Sequence, residues 1–171
     1  GLGDVYKRQI KNITDLECTV MLYLAYGSNL NVRQMATRCP HSKTKGKFNL
    51  PNYKLVFRSV ADIIKSKGDY VPVGVWDIDI KDEDALDRYE GYPHLYTKKY
   101  LTIKTNGTRK LCMFYVMNDD SYLYQPSNSY YKTIEEGYKN FKLDLDYLKQ
   151  AKTESIQKSD DLHYSLFNSL I

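Results

Sequence analysis

Residues 21–30 read MLYLAYGSNL, and this stretch anchors the fold prediction. Leu22 to Ala25 is a short apolar run of the kind that forms a buried strand. Gly27-Ser28-Asn29 ends that run with residues that favour turns and left-handed backbone. Asn31 then offers an N-cap for a short helix from Val32 to Arg38. The sequence therefore predicts a buried strand, a tight loop and a helix in succession.

Alternating apolar residues predict further strands along the first two thirds of the chain. Pro51-Asn52 interrupts the first of them, and Asn106-Gly107 between the last two is a hairpin signal, with a connection longer than two residues. The predicted strands are Lys47 to Val60, Val71 to Trp76, Tyr100 to Lys104 and Leu111 to Met117. Connections this short leave no room for repeated βαβ crossovers. We expect an α/β domain of the α+β type: a mostly antiparallel, curled or barrel-like sheet with peripheral helices.

Three helices are predicted beyond the first. Asp82 to Glu90 begins with acidic residues, which suit a helix N-terminus, and carries an apolar stripe of Ala85, Leu86 and Tyr89 before Gly91 ends it. Ser129 to Phe141 places Tyr131, Ile134 and Tyr138 on one face, with Gly137 as a weak point. A further helical piece spans about Asp144 to Lys152.

The chain of 171 residues, 42% of them hydrophobic, can bury one sizeable core but not two. We expect a single domain over residues 21–152 and a tail of uncertain order over 153–171. Residues 1–20 are polar and patternless, and the first nine, GLGDVYKRQ, resemble translated adapter sequence. Residues 1–20 are therefore expected to be a non-native or disordered leader.

The net charge of +4 is scattered along the chain, which argues against a nucleic-acid partner. The densest basic stretch, Lys43, Lys45 and Lys47, alternates like the solvent face of a sheet-edge strand, which we favour over a phosphate-binding patch. Cys18, Cys39 and Cys112 show no metal-ligand or disulfide spacing, so we expect no metal site, no disulfide frame and a reducing compartment. Without an apolar span or signal sequence, we expect a cytoplasmic protein with no membrane partner.

Two features could carry chemistry. Tyr26-Gly27-Ser28-Asn29 is most simply a structural turn, although its small residues would let an anion approach the backbone N–H groups closely. Glu90 closes a helix, where the partial negative charge of the helix end raises the pKa of a carboxyl group. Partial burial would raise that pKa further and make Glu90 a proton acceptor, whereas a solvated Glu before a capping Gly is the plainer interpretation.

Three segments in order resemble the γ-glutamylcyclotransferase family. Residues 23–30, YLAYGSNL, resemble its YGSN loop, and residues 86–92, LDRYEGY, resemble the segment that carries its acid/base glutamate. Residues 126–130, PSNSY, resemble the opening of a helix that lines the family's cleft. The resemblance implies Glu90 as the catalytic acid/base. It also implies substrate binding by Tyr23, Leu24, Ala25, Tyr26, Gly27, Ser28, Asn29, Leu30, Tyr96 and Tyr130.

The resemblance further implies a cofactor-free enzyme, a monomer or homodimer, that closes the glutamyl group of γ-glutamyl-amino acids into 5-oxoproline. The loop lacks the continuation of the glutathione-specific branch, so intact glutathione is not the expected substrate. Two alternatives stay open: a γ-glutamylamine cyclotransferase, and a non-catalytic binding module on the same fold. A hydrolase is disfavoured because Ser28 lacks a G-x-S-x-G elbow.

Overall fold

The computed structural model describes residues 21–105, 108–118 and 122–169. The predictions for residues 1–20 and for the Asn106-Gly107 connection itself lie outside the described residues. Within the described part, the strands are β1 (Met21–Ala25), β2 (Lys43–Arg58), β3 (Val60–Ile78), β4 (Tyr96–Thr105) and β5 (Thr108–Met117). The helices are α1 (Val32–Arg38), α2 (Ile80–Glu90), α3 (Asn128–Asn140) and α4 (Leu145–Ser169).

The five strands form one sheet in the order β2-β3-β1-β5-β4. Neighbouring strands are antiparallel except β1 and β5, which are parallel with Leu22 opposite Cys112. The central strand β1 is buried along its whole length because it has a strand on each side. The prediction of a mostly antiparallel α+β fold is confirmed.

The β2–β3 hairpin makes the sheet curl. Asn52, with a φ of 61°, lies at a register shift between Pro51 and Tyr53 in β2. At the start of β3, the Asp62 carboxylate accepts a hydrogen bond of 3.1 Å from the N–H of Met117, the last residue of β5. The hairpin therefore folds back over the end of β5. This contact sets one wall of the cleft described below.

Strand β2 is an edge strand, and the three lysines at its start behave as the sequence predicts. Lys43, Lys45 and Lys47 are exposed, and Lys45 Nζ lies 2.9 Å from Asp77 Oδ2 on β3. Lysines on an edge strand discourage pairing with another chain. The solvated-edge interpretation is confirmed.

The β4–β5 hairpin and helix α4 are both longer than predicted. Strands β4 and β5 extend to Thr105 and Thr108, which are paired, so the expectation of a connection longer than two residues is wrong. Helix α4 continues to Ser169, through most of the expected tail. Its buried face carries small residues, Ala151 and Ser155 among them, and Ser155 Oγ accepts a hydrogen bond from the N–H of Phe57 at 3.0 Å. A face of small residues gives a weak apolar pattern, which is why the sequence did not reveal it.

None of the helices in the described part of the chain has the length and apolar character needed to cross a bilayer.

Candidate active site

A cleft of about 740 Å³ opens where β1, the loop after it, the start of β3 and the end of α2 meet. Its lining includes these predicted site residues: Tyr23, Tyr26, Gly27, Ser28, Asn29, Glu90, Tyr96 and Tyr130. Segments far apart in sequence thus meet in one hollow. The fold brings most of the predicted site residues together.

Three predicted substrate-binding residues are not in the cleft lining. Leu24, Ala25 and Leu30 are fully buried in the hydrophobic core. Leu24 and Ala25 belong to the central strand, and Leu30 is covered by α3 at Gly137. These three side chains therefore lie in the core behind the loop and not at the surface of the cleft.

The loop between β1 and α1 is fixed in place by both backbone and side-chain contacts. Residues Ser28–Leu30 form a single 3-10 turn, with the N–H of Leu30 bonded to the Gly27 carbonyl at 3.0 Å. Trp76 Nε1 donates to the Asn29 carbonyl oxygen at 3.0 Å. Helix α3 approaches so closely that a Cβ on Gly137 would lie 2.7 Å from the Leu30 carbonyl carbon. Gly137, expected only to weaken its helix, is what permits this contact.

Glu90 is the last residue of α2, as the sequence predicts. Gly91 follows in the left-handed conformation, with a φ of 65°, and its N–H caps the helix end. Asp79 and Asp82 form a capping box at the other end, so α2 begins two residues earlier than expected. These caps hold the helix, and with it Glu90, at the floor of the cleft.

Asn29 connects the loop to Glu90. Its Nδ2 donates to Glu90 Oε1 at 2.7 Å and to the Tyr23 hydroxyl at 2.9 Å. The small-residue loop and the carboxyl group therefore face each other across one hollow, as the sequence-based hypothesis requires.

Burial raises the pKa of Glu90 to about 7, against the opposing effects of the Arg38 charge and the Asn29 hydrogen bond. The sequence analysis attributed the raised pKa first to the helix end, but removal from water is the main cause. A carboxyl group with a pKa near 7 exchanges protons readily at neutral pH.

Two tyrosines form the opposite wall of the cleft. The hydroxyl of Tyr130 accepts a hydrogen bond from the N–H of Ala61 at 3.1 Å, and that of Tyr96 donates to the Ala61 carbonyl at 3.3 Å. Burial raises the pKa of Tyr130 to about 12 and also raises that of Tyr96. Both phenols are therefore protonated donors at neutral pH.

Arg38 and Tyr89 are two residues of the site that the sequence patterns do not reveal. Tyr89 is 48% exposed and lines the cleft, so it does not belong to a buried apolar stripe. Its hydroxyl lies 3.1 Å from Ser28 Oγ, and the Arg38 guanidinium lies 3.3 Å from its ring centroid. One signal in the sequence could have indicated a cleft position for Tyr89, namely that it directly precedes Glu90. A tyrosine can place its apolar ring against the protein and its hydroxyl toward a polar cleft.

A buried ion-pair network lies beneath the cleft. Lys98, with a side chain only 3% exposed, contacts Glu83 and lies 2.7 Å from Asp87 Oδ2. Asp87 Oδ1 in turn accepts a hydrogen bond of 2.6 Å from the hydroxyl of Tyr115, a cleft residue. Glu83 and Asp87 of α2 thus tie that helix to Lys98 on the sheet.

One further cluster contains groups that can bind metals. Polar atoms of His41, Asp79 and Asp82 lie within 4.8 Å of one another, outside the cleft lining. The two aspartates already act as the capping box of α2, and His41 Nδ1 lies 3.4 Å from Asp79 Oδ2. In this structure the three residues contact one another at the start of α2, away from Glu90.

The fold and cleft together define a small α+β protein in which a half-buried carboxyl group with a raised pKa faces a loop of small residues. A family profile described as "Gamma-glutamyl cyclotransferase, AIG2-like" matches residues 23–138. The chain belongs to this family.

Relatives and solved structures agree with this assignment. The chain is 31% identical over 153 residues to "Gamma-glutamylcyclotransferase" of Bos taurus, covering 81% of this chain and 80% of the bovine protein. It is 29% identical over 164 residues to the Homo sapiens protein of the same name, covering 88% and 86%. A solved structure named "Gamma-glutamyl cyclotransferase" superimposes with a TM-score of 0.66 at 28% identity, covering 78% of this chain and 87% of that one.

Proposed function

We propose that this protein is a γ-glutamylcyclotransferase, which converts γ-glutamyl-amino acids into 5-oxoproline and the free amino acid. The observation that carries the proposal is the 2.7 Å hydrogen bond between Asn29 Nδ2 and Glu90 Oε1. It places a carboxyl group with a pKa of about 7 against the loop by which the family resemblance was first identified. The similarity to proteins named gamma-glutamylcyclotransferase over most of the chain supports the same activity.

The proposed reaction is an intramolecular aminolysis with Glu90 as general base and then general acid. The carboxylate of Glu90 takes a proton from the substrate's α-ammonium group, and the resulting amine attacks the γ-carbonyl carbon. The new C–N bond closes a five-membered ring. The bond from the γ-carbon to the leaving nitrogen then breaks as Glu90 gives that proton to the leaving nitrogen. The second proton of the ring nitrogen passes through Glu90 to the released amine, which departs as an ammonium group, and Glu90 is again a carboxylate. General acid–base catalysis of this kind contributes roughly 10²- to 10⁴-fold in rate.

The loop provides the second part of the proposal. Backbone N–H groups around Gly27 and Ser28 would bind either the α-carboxylate or the oxyanion that develops on the γ-carbonyl. Burial raises the pKa of Tyr130 and the Ser28 backbone acts in the opposite direction, so this phenol lies close to the proposed donors. Holding the folded-back substrate in place would draw on the intramolecular advantage of ring closure.

The leaving group would occupy the mouth of the cleft. The floor, formed by Tyr23, Ser28 and Asn29, is buried, whereas Leu95 at the mouth is 65% exposed. Since Glu90 acts at the floor, the γ-glutamyl group would bind deepest and the leaving group would face outward. Val60 and Met117 also line the cleft, so apolar leaving groups have surface to bury there.

The location and assembly of the protein are part of the proposal. Cys39 and Cys112 are buried free thiols, which fits a reducing compartment, and we place the activity in the cytoplasm. We propose a monomer or homodimer that acts on a small molecule. The scattered net charge of +4 accords with the lack of a nucleic-acid partner.

The test is release of 5-oxoproline from a panel of γ-glutamyl-amino acids and γ-glutamylamines. Turnover of the amino acid conjugates supports the proposal, and turnover of the amines alone supports the sibling activity. Calorimetric binding of 5-oxoproline without turnover of any compound in the panel would support the non-catalytic binding module instead.

A further inference from the structure

Arg38, the last residue of α1, contacts the cleft floor from behind. It is absent from the cleft lining, yet its guanidinium touches two residues that are part of that lining. One nitrogen donates to Asn29 Oδ1, and the guanidinium carbon lies 3.3 Å from the ring centroid of Tyr89. A second nitrogen donates to Gln34 Oε1, one turn earlier in the same helix, at 3.5 Å.

The contact with Asn29 decides which way its carboxamide points. An arginine can only donate hydrogen bonds, so it holds the oxygen of the carboxamide and turns the NH₂ group away. The NH₂ group then faces Glu90 Oε1 at 2.7 Å and the Tyr23 hydroxyl at 2.9 Å. With the amide reversed, two oxygens, those of Asn29 and Glu90, would face each other.

The contact with Tyr89 acts on the other side of the loop. A guanidinium packed flat on an aromatic ring holds that ring in position. The hydroxyl of Tyr89 lies 3.1 Å from Ser28 Oγ. Arg38 therefore reaches Asn29 directly and Ser28 through Tyr89.

We propose that Arg38 is a positioning residue, which orients the Asn29 carboxamide toward Glu90 and holds Tyr89 against Ser28 without touching the substrate. This inference rests on the proposed function for its catalytic meaning. The orientation of Asn29 and the ionisation of Glu90, however, can be measured without any turnover.

Arg38 is a cation whose charge acts on Glu90, and His94 lines the same cleft. Five phenols also interact electrostatically with Glu90. They come from β1, the loop after it, β4, β5 and α3: Tyr23, Tyr26, Tyr96, Tyr115 and Tyr130. Burial raises the pKa of each of these phenols, so they stay neutral across the range in which Glu90 titrates. A shift of the Glu90 titration midpoint in an Arg38 variant therefore does not come from ionisation of these phenols.

The experiment is a carbon-13 NMR titration of the Glu90 carboxyl group in the full chain, assigned by the signal lost in Glu90→Gln. Arg38→Met is expected to raise the midpoint by about one pH unit, because it removes both the charge and the orientation of Asn29. Arg38→Lys keeps the charge but loses the planar guanidinium, so its midpoint should fall between those of the unaltered protein and Arg38→Met. Arg33→Met, an exposed site on the same helix, removes the same charge and should leave the midpoint unchanged.

A midpoint in Arg38→Met equal to that in Arg33→Met would overturn the proposal. So would a midpoint in Arg38→Lys equal to that of the unaltered protein, since charge alone would then account for the effect. Circular dichroism checks that each variant folds. If Arg38→Met does not fold, the midpoint of Arg38→Lys is compared with that of the unaltered protein, and a raised midpoint supports the proposal. Absence of 5-oxoproline release by the unaltered protein would contradict the proposed function and leave this titration valid.

Discussion

Asn29 Nδ2 donates a hydrogen bond of 2.7 Å to Glu90 Oε1, across 61 positions of sequence. This bond joins the loop that follows the central strand to the end of α2. The Glu90 carboxyl group lies half-buried at the floor of the cleft, where burial raises its pKa to about 7. Several measurable consequences depend on this pair.

Activity should depend on pH through Glu90. The general base must be a carboxylate, so kcat/KM should rise as the pH increases through about 7 and level off above it, where Glu90 is fully ionised. A pH–rate profile measured between pH 5 and 9 on one γ-glutamyl substrate checks this. A flat profile across the interval from pH 6 to 8 would be inconsistent with Glu90 as the base.

The free energy of unfolding should also depend on pH through Glu90, but it should fall as the pH rises, whereas the activity should increase. The pKa of Glu90 is raised in the folded state, so the folded protein binds more protons than the unfolded chain between about pH 4.5 and 7. Stability is therefore lost as the pH rises through this interval.

Glu90→Gln removes this cost because its amide oxygen can still accept from Asn29. The variant should be about 2 kcal/mol more stable at pH 8, a figure reduced from the full pKa shift because Glu90 is not fully buried. Urea unfolding at pH 5 and pH 8 tests this. The account requires a smaller difference at pH 5, and equal differences would contradict it.

Gly137→Ala should destabilise the protein by about 1–3 kcal/mol, although alanine favours a helix more than glycine does. The added Cβ would lie 2.7 Å from the Leu30 carbonyl carbon and 2.9 Å from the Asn31 nitrogen. Thermal unfolding measures the change. Lys132→Ala, at an exposed position of the same helix, is the matched control and should alter stability by less than about 0.5 kcal/mol. A stabilised Gly137→Ala would show that α3 can move away from the loop at no cost.

Lys98→Met should cost about 3 kcal/mol or more, since it removes the ammonium group that contacts the buried acids Glu83 and Asp87. Lys99→Met alters the exposed neighbouring position and should have little effect. Chemical denaturation of the two variants at pH 7 makes the comparison. Equal stability of the two would mean that the buried pair contributes nothing.

The sequence was sufficient for the elements that local signals define. The strand, loop and helix between Met21 and Arg38 are as predicted, because an apolar run, turn residues and an N-cap follow one another directly. Helix α2 ends at Gly91 for the same kind of reason. Strand β3 is much longer than predicted, because residues 65–69 are polar or glycine, Lys65 and Lys67 among them, and show no apolar alternation.

The parts of the site that the sequence missed depend on tertiary contacts. Arg38 and Tyr89 lie far apart in sequence, and nothing local shows that the guanidinium packs on the ring. Leu24 and Leu30 flank the loop in sequence but point into the core, which only the packing of the sheet and α3 decides. Proximity in sequence to a binding loop was therefore a poor guide to contact with the cleft.

The central claim is most directly tested by 5-oxoproline release from a γ-glutamyl-amino acid by Glu90→Gln, with Asp84→Asn as the exposed control on the same helix. Folded Glu90→Gln should release 5-oxoproline roughly 10²- to 10⁴-fold more slowly than the unaltered protein, and Asp84→Asn at the unaltered rate. An undiminished rate in Glu90→Gln would contradict the assignment of Glu90 as the acid–base group.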